Sequence, residues 1–185
     1  MHRYLTLAAA AAMATTAATA GAQNVTAPNK PFSFGVMAGA AVPVGDLSNG
    51  TNTGYNVTGM LGLNTPELPI NFRINVGYNN FGAKGGYSGD NVRVWEFSGN
   101  ATYDFPTERS TVRPYFTGGL GMYNVGGRFA GFNTTSENRF GFNAGGGLII
   151  PLTGMNAFIE ARYTQVSANN GTSLKFVPIT FGLAF

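Results

Sequence analysis

Six ionisable side chains hold most of the chemistry this sequence offers. Arg73, Glu96, Asp104, Arg113, Glu160 and Arg162 each stand in a stretch whose every second residue is apolar, on the side that carries Asn, Ser, Thr and Gly. Guanidinium and carboxylate groups gathered on one face can form charge-assisted pairs, or they can line a narrow water path and gate it. They are poorly equipped for catalysis. The 185 residues include no cysteine and one histidine, His2, which falls in a segment expected to be removed. Without an imidazole or a thiolate there is no Ser-His or Cys-His nucleophile, no Cys/His metal site and no Fe–S cluster. Ser98, beside the carboxylates, reads as a polar filler. The Gly doublets lie inside apolar alternations rather than before helices, so no phosphate-cradling motif is present. The expectation is a non-enzymatic protein with no cofactor and no metal.

The elements that would position these charges begin after residue 22. Arg3 followed by the apolar run 5–18 and small residues at Ala18, Ala20 and Ala22 has the form of an export signal, with cleavage placed after Ala22. The run is too short and too rich in Ala and Thr for a spanning helix. Residues 23–30 read as a short lead-in, and 31–185 as one domain. Beyond the signal, ten cationic residues face eight anionic ones, too small an excess to argue for nucleic acid.

From residue 32 onward, alternation with period two recurs eight times between clusters of Gly, Asn, Ser, Thr and Pro. The clearest repeat sets Ile70, Phe72, Ile74, Val76 and Tyr78 against Asn71, Arg73, Asn75, Gly77 and Asn79. Others start from Phe32, Tyr55, Trp95, Val112, Phe140 and Ala157, and the last runs Val177, Ile179, Phe181, Leu183, Phe185. In the ambiguous fifth stretch Val112, Pro114, Phe116, Leu120 and Met122 are taken as the apolar face, because the other set holds Arg113 and Thr117. Eight strands of roughly ten residues with no helical period between them predict an all-β, eight-stranded antiparallel up-and-down barrel.

Two barrels of opposite polarity fit that pattern: a soluble lipocalin-like barrel with its apolar set inward, and a transmembrane barrel with that set toward lipid. The transmembrane reading is favoured. No charge falls on the apolar faces, and only 10% of all residues are charged, far fewer than a water-exposed surface carries. The connections near 64–69, 106–111 and 151–156 are short, whereas those near 43–54, 82–92, 124–139 and 167–174 are mostly longer, as periplasmic turns and outer loops alternate. Aromatic residues collect near strand ends, where interfacial girdles sit.

The terminal segment FVPITFGLAF ends in an aromatic with apolar residues at every second position before it. It resembles the C-terminal targeting strand of bacterial outer-membrane proteins. With GAAVPVGDL at 39–47, VRPYFTGGLGMY at 112–123 and FIEARYT at 158–164, the chain is similar to the small outer-membrane β-barrel domain family, which includes the outer membrane protein A barrel and the X-type and opacity-type proteins. The resemblance implies residence in the cell outer membrane among its lipids and lipopolysaccharide. It also implies periplasmic chaperones and the barrel-assembly machinery as partners in biogenesis, with Phe181, Leu183 and Phe185 as the assembly signal. It carries no catalytic signature.

A structural or surface-interaction role in the cell envelope is therefore expected, with a narrow channel for small or apolar solutes as the alternative and a periplasmic lipocalin-like binder as a third reading. Arg73 with Glu96, and Glu160 with Arg162, Arg113 or Asp104, are expected to form an ion-pair network in the lumen, their individual partners left open. Inward glycines such as Gly39, Gly145 and Gly182 leave room for water beside it. Lys84, Tyr87, Arg128, Phe129 and Phe132, in two outer loops, are the recognition candidates. If the facing is right, Ile74→Arg should block assembly and Asn75→Arg should be tolerated.

Overall fold

A computed structural model describes residues 31–65, 70–85, 89–106, 112–167 and 173–185. The export signal and lead-in lie outside the described residues, as does Tyr87. Eight strands form the wall: β1 (Phe32–Val44), β2 (Gly54–Leu63), β3 (Ile70–Gly82), β4 (Asn91–Asp104), β5 (Arg113–Phe129), β6 (Glu137–Leu152), β7 (Met155–Val166) and β8 (Leu174–Ala184). Each pairs antiparallel with its neighbour in sequence, and β8 pairs with β1. Phe34 and Phe185 exchange backbone bonds across that seam, at 3.2 and 2.8 Å. Closure leaves no open edge in the wall, which a bilayer demands because hydrocarbon offers nothing for an unpaired backbone group to bond.

The stagger of the wall can be followed through its register. From Met37 the partners run Thr58, Gly77, Glu96, Tyr123 and Arg139 one way, and Gly182, Phe158 and Ile149 the other. The two routes meet on β6 ten residues apart, a shear that tilts the strands strongly against the barrel axis.

Alternation decides what faces lipid. Phe34, Val36, Phe72, Val76, Phe97, Phe116, Leu120 and Phe181 point outward and stay open to the surroundings, Phe116 at 62% exposure, while Arg73, Asn75, Glu96, Glu160 and Arg162 on the other parity are buried. This is the transmembrane polarity, and it removes the lipocalin reading, in which the exposed and buried sets would be exchanged. The predicted facing holds on all eight strands. Aromatic rings band the wall at both ends: Tyr78 meets Trp95 at 4.8 Å on the outer side, and Phe105 meets Tyr103 and Phe116 at 5.1 and 5.4 Å on the periplasmic side. Among the described residues no helix is long and apolar enough to cross a membrane, and the chain crosses with strands.

Two features depart from expectation. Strands reach 17 residues rather than about ten, because they continue past the bilayer into the outer connections. The third outer connection is the main case. It narrows to a hairpin in which β5 runs to Phe129 and a two-residue strand, Phe132–Asn133, folds back on it around Ala130 (φ 50°) and Gly131 (φ 85°). Positive φ at both central residues is the type I′ geometry whose twist matches paired strands.

The first outer connection folds inward instead. Gly45 (φ 59°) turns the chain into a one-turn helix, α1 (Asp46–Gly50), and Leu47 drops into the barrel mouth. The second connection ties to it through the Thr51–Ala83 bridge and through Lys84, whose ammonium donates to the Ser48 carbonyl at 2.6 Å.

Candidate functional site

The lumen places four of the six predicted charges in one buried layer. Arg73 on β3 reaches Glu160 on β7 at 2.7 Å, and the Tyr115 hydroxyl on β5 donates to the same carboxylate at 2.8 Å. Arg162 on β7 meets Glu96 on β4 at 3.1 Å, and Glu96 also accepts from Ser98 at 2.6 Å, which in turn accepts from Asn100 at 3.0 Å. Arg162 Nε lies 3.8 Å from Glu160 and links the pairs into one chain of alternating sign. Two cations and two anions cancel, and each is paired with a partner of opposite sign, which offsets part of the cost of burying charge, although Arg73 Nε and Arg162 Nε and Nη1 find no hydrogen-bond partner among the described residues.

Sequence groups Arg73 with Glu96 but leaves the individual partners open; the structure pairs Arg73 with Glu160 and Glu96 with Arg162. The β3–β4 register sets Arg73 against Asn100 and Glu96 against Gly77, so the two charges stand four residues apart along the wall, roughly 13 Å. Asp104 and Arg113 stay out of the network, nearer the periplasmic rim, where Asp104 accepts from Asn71 at 3.4 Å.

Apolar clusters lie on both sides of the ionic layer. Toward the outside, Ala41, Leu47, Phe81, Val94, Tyr123, Val166 and Phe176 pack together, with Phe81 and Phe176 edge to face at 5.4 Å. Toward the periplasm, Met37, Phe158 and Ala184 form a second cluster, lined by Met60 and Ile149. Nor do the inward glycines stand beside open space. A Cβ at Gly182 would collide with the Phe158 ring, one at Gly147 with the Tyr115 ring and one at Gly141 with the Tyr123 ring. At Gly39 and Gly145 it would strike the backbone of the neighbouring strand. These glycines admit rings or close strand approach.

Asn75 is another correction. It is completely buried in the same layer, so Asn75→Arg would force a third, unpaired cation and extra volume into a packed, neutral interior. Tolerance there is no longer expected.

Tyr115, Tyr123, Phe81 and Phe176, which fill the lumen, escaped the reading of the charges. A signal existed: Tyr115 falls between Arg113 and Thr117 on the polar parity, and a large ring at such a position must fill an eight-stranded lumen.

The loop candidates divide. Lys84 is exposed but bonded to loop 1. Phe129 and Phe132 pair across the hairpin and are exposed, Phe132 at 79%. Arg128 lies on the opposite face of that hairpin, its Nε donating to the Gly131 carbonyl at 3.3 Å.

A family model described as outer membrane protein beta-barrel domain matches residues 5–185. Neisserial surface protein A superposes with a TM-score of 0.68 at 19% identity, over 84% of this chain and 96% of that one. The outer membrane protein OprG of Pseudomonas aeruginosa gives 0.54 at 13% identity, over 84% and 97%. A major outer membrane protein of Thermus thermophilus gives 0.51 at 16%, over 84% and 99%. At these identities the likeness is one of fold. Among curated proteins none matches in sequence.

Proposed function

This chain belongs to the outer membrane protein β-barrel domain family and resides in the outer membrane, and from that premise we propose that it is a non-conducting, non-enzymatic barrel whose role in the envelope is structural or surface-interacting. The observation that carries this reading is the arrangement of the lumen, an ion-paired layer held between two apolar clusters. A conducting path needs continuous polar lining, and the Phe81–Phe176 cluster interrupts it. An enzyme needs a site open to substrate, whereas Ser98 and both lumen glutamates are buried and bonded to one another or to arginine. What remains accessible is the outer end, where the β5–β6 hairpin presents Phe129 and Phe132 on one face and Arg128 on the other.

The terminal strand fits an assembly role. Phe181 and Phe185 face outward and Leu183 shares their parity, an apolar side of β8 that supports recognition by the barrel-assembly machinery.

Planar-bilayer recording of refolded protein tests the proposal, with a heat-dependent gel shift as proof of folding. Silence from folded protein supports the sealed reading. Discrete openings that change when Arg73 or Glu160 is neutralised would establish the channel alternative in its place.

A further inference from the structure

We propose that the outward wall of β4, β5 and β6 holds one phosphorylated lipid of the outer leaflet, its phosphate at Arg93 and Arg128 and an acyl chain in a shallow dent below. The site is independent of whether the lumen conducts.

The upper part follows from register. Arg93 is on the lipid-facing parity of β4, two residues beyond Trp95, so it stands about 7 Å further out along the strand. Trp95 belongs to the outer aromatic band, and a residue just beyond such a band lies at headgroup level. Asn91, next on that face, is the direct partner of Arg128 on β5, which brings the second guanidinium onto the same surface. Arg93 is braced rather than loose: its Nη2 donates to the Gly127 carbonyl and to Asn133 Oδ1, both at 3.4 Å. A guanidinium carries five N–H donors, and those beyond the brace can engage a phosphate in the paired geometry that favours Arg over Lys.

The neighbouring polar groups suit an anion. Asn124 and Asn138, bonded to each other at 2.8 Å, continue the face across β5 and β6. Among the described residues, the outward strand positions of this sector beyond the aromatic band carry no carboxylate. Glu137 has the opposite parity and is paired with Arg139 at 2.8 Å, and Asp90 is buried at the foot of the second outer loop.

The lower part is an independent feature of the same strands. Ala101, Gly118 and Ala144 are register partners across β4, β5 and β6, and a Cβ at the adjacent Gly99 would meet nothing within 4 Å. Exposed Phe97, Phe116, Leu120 and Phe142 rim this patch. A run of small residues walled by large ones forms a dent facing hydrocarbon. Gly99 lies six residues from Arg93, about 20 Å down the tilted strand, within the span of a long acyl chain anchored at its phosphate. Charge above and a dent below, on the same strands, select a lipid over a free anion.

Native mass spectrometry of refolded protein with added diphosphorylated lipid A tests this, gel shift confirming folding. The wild type should retain one lipid per barrel. Arg93→Ala with Arg128→Ala should weaken retention about thirty-fold, from two headgroup contacts, as should removal of both phosphates from the lipid. Gly99→Leu, which fills the dent without steric conflict in the wall, should weaken it while leaving both arginines in place. Retention unchanged in the double variant would overturn the site. Binding of soluble inositol hexakisphosphate as tight as that of lipid A, together with no effect of Gly99→Leu, would overturn the lipid assignment in favour of a free polyanion.

Discussion

Arg73 and Glu160, 87 residues apart in sequence, meet at 2.7 Å in the buried centre of the barrel. Their contact spans the lumen between β3 and β7, strands that share no hydrogen-bonded edge. Arg73→Met should cost about 3 to 5 kcal/mol, because Glu160 keeps its charge and its burial while losing its nearest cation. Adding Glu160→Gln should recover part of that loss, since the buried carboxylate left with only Arg162 at 3.8 Å is then gone. Urea unfolding of the two single variants and the double variant in lipid vesicles, followed by Trp95 fluorescence, measures the coupling. Additive losses would show that the pair contributes nothing beyond its members.

Gly182 and Phe158 make a second, apolar test. The ring lies where a Cβ would project from Gly182, so Gly182→Ala should destabilise by about 1 to 3 kcal/mol through overpacking. Phe158→Leu, in combination, should relieve part of the cost. The heat-shift midpoint reports both effects.

The facing assignment predicts an asymmetry between adjacent residues. Ile74 is lipid-facing and 45% exposed, whereas Asn75 is fully buried in the lumen. Ile74→Arg should cost about 2 to 4 kcal/mol near mid-bilayer and reduce assembled protein in outer-membrane fractions. Asn75→Ser, which shortens a side chain whose amide has no protein partner, should stay within about 1 kcal/mol. Equal losses at both positions would contradict the polarity of β3.

These positions also show what was legible in the sequence. Period-two alternation sorts residues between two faces, so lipid and lumen sides could be read for all eight strands, including β5, where Arg113 and Thr117 resolved the ambiguity. Stagger is invisible to that pattern. The ten-residue shear, and with it the choice of Glu160 over Glu96 for Arg73, depends on register around the whole wall, which no single strand encodes. Inward rings were obscured for a related reason. Tyr115 beside Phe116 and Tyr123 beside Met122 look like parts of one apolar run until parity places them in the lumen. Composition likewise suggested that inward glycines make space, whereas only the folded wall shows Phe158, Tyr115 and Tyr123 occupying it. The outer hairpin was hidden because Gly126, Gly127 and Gly131 read as loop signals, although two of them lie within β5.

That hairpin carries mild strain. Ala130 sits at φ 50°, a region L residues other than Asn and Asp adopt at a cost, and Gly131 follows at 85°. Ala130→Asn should stabilise the turn by about 0.5 to 1 kcal/mol by supplying the Asn-Gly pair that type I′ favours. Slower hydrogen exchange at the Thr134 amide, which donates to the Gly127 carbonyl at 2.9 Å, would report it. Insertions at this tip should leave the barrel folded, because residues 130–138 are all exposed. Loss of folding would mean that the hairpin supports the wall.

Phe81 and Phe176 offer the most direct route to the function of the lumen. Their edge-to-face contact at 5.4 Å closes the outer side, with Leu47 of α1 in the same cluster. If that cluster is the barrier, replacing both rings with alanine should turn a silent barrel into a leaky one at some cost in stability, and the gel shift would show whether the wall still closes. The ionic layer beneath would then become the narrowest polar point, so Glu96→Gln in the same background should alter ion selectivity. The selectivity change separates two causes of leakage. Passage through the lumen must feel Glu96, which faces inward between Arg162 and Ser98, whereas leakage around a damaged wall would not.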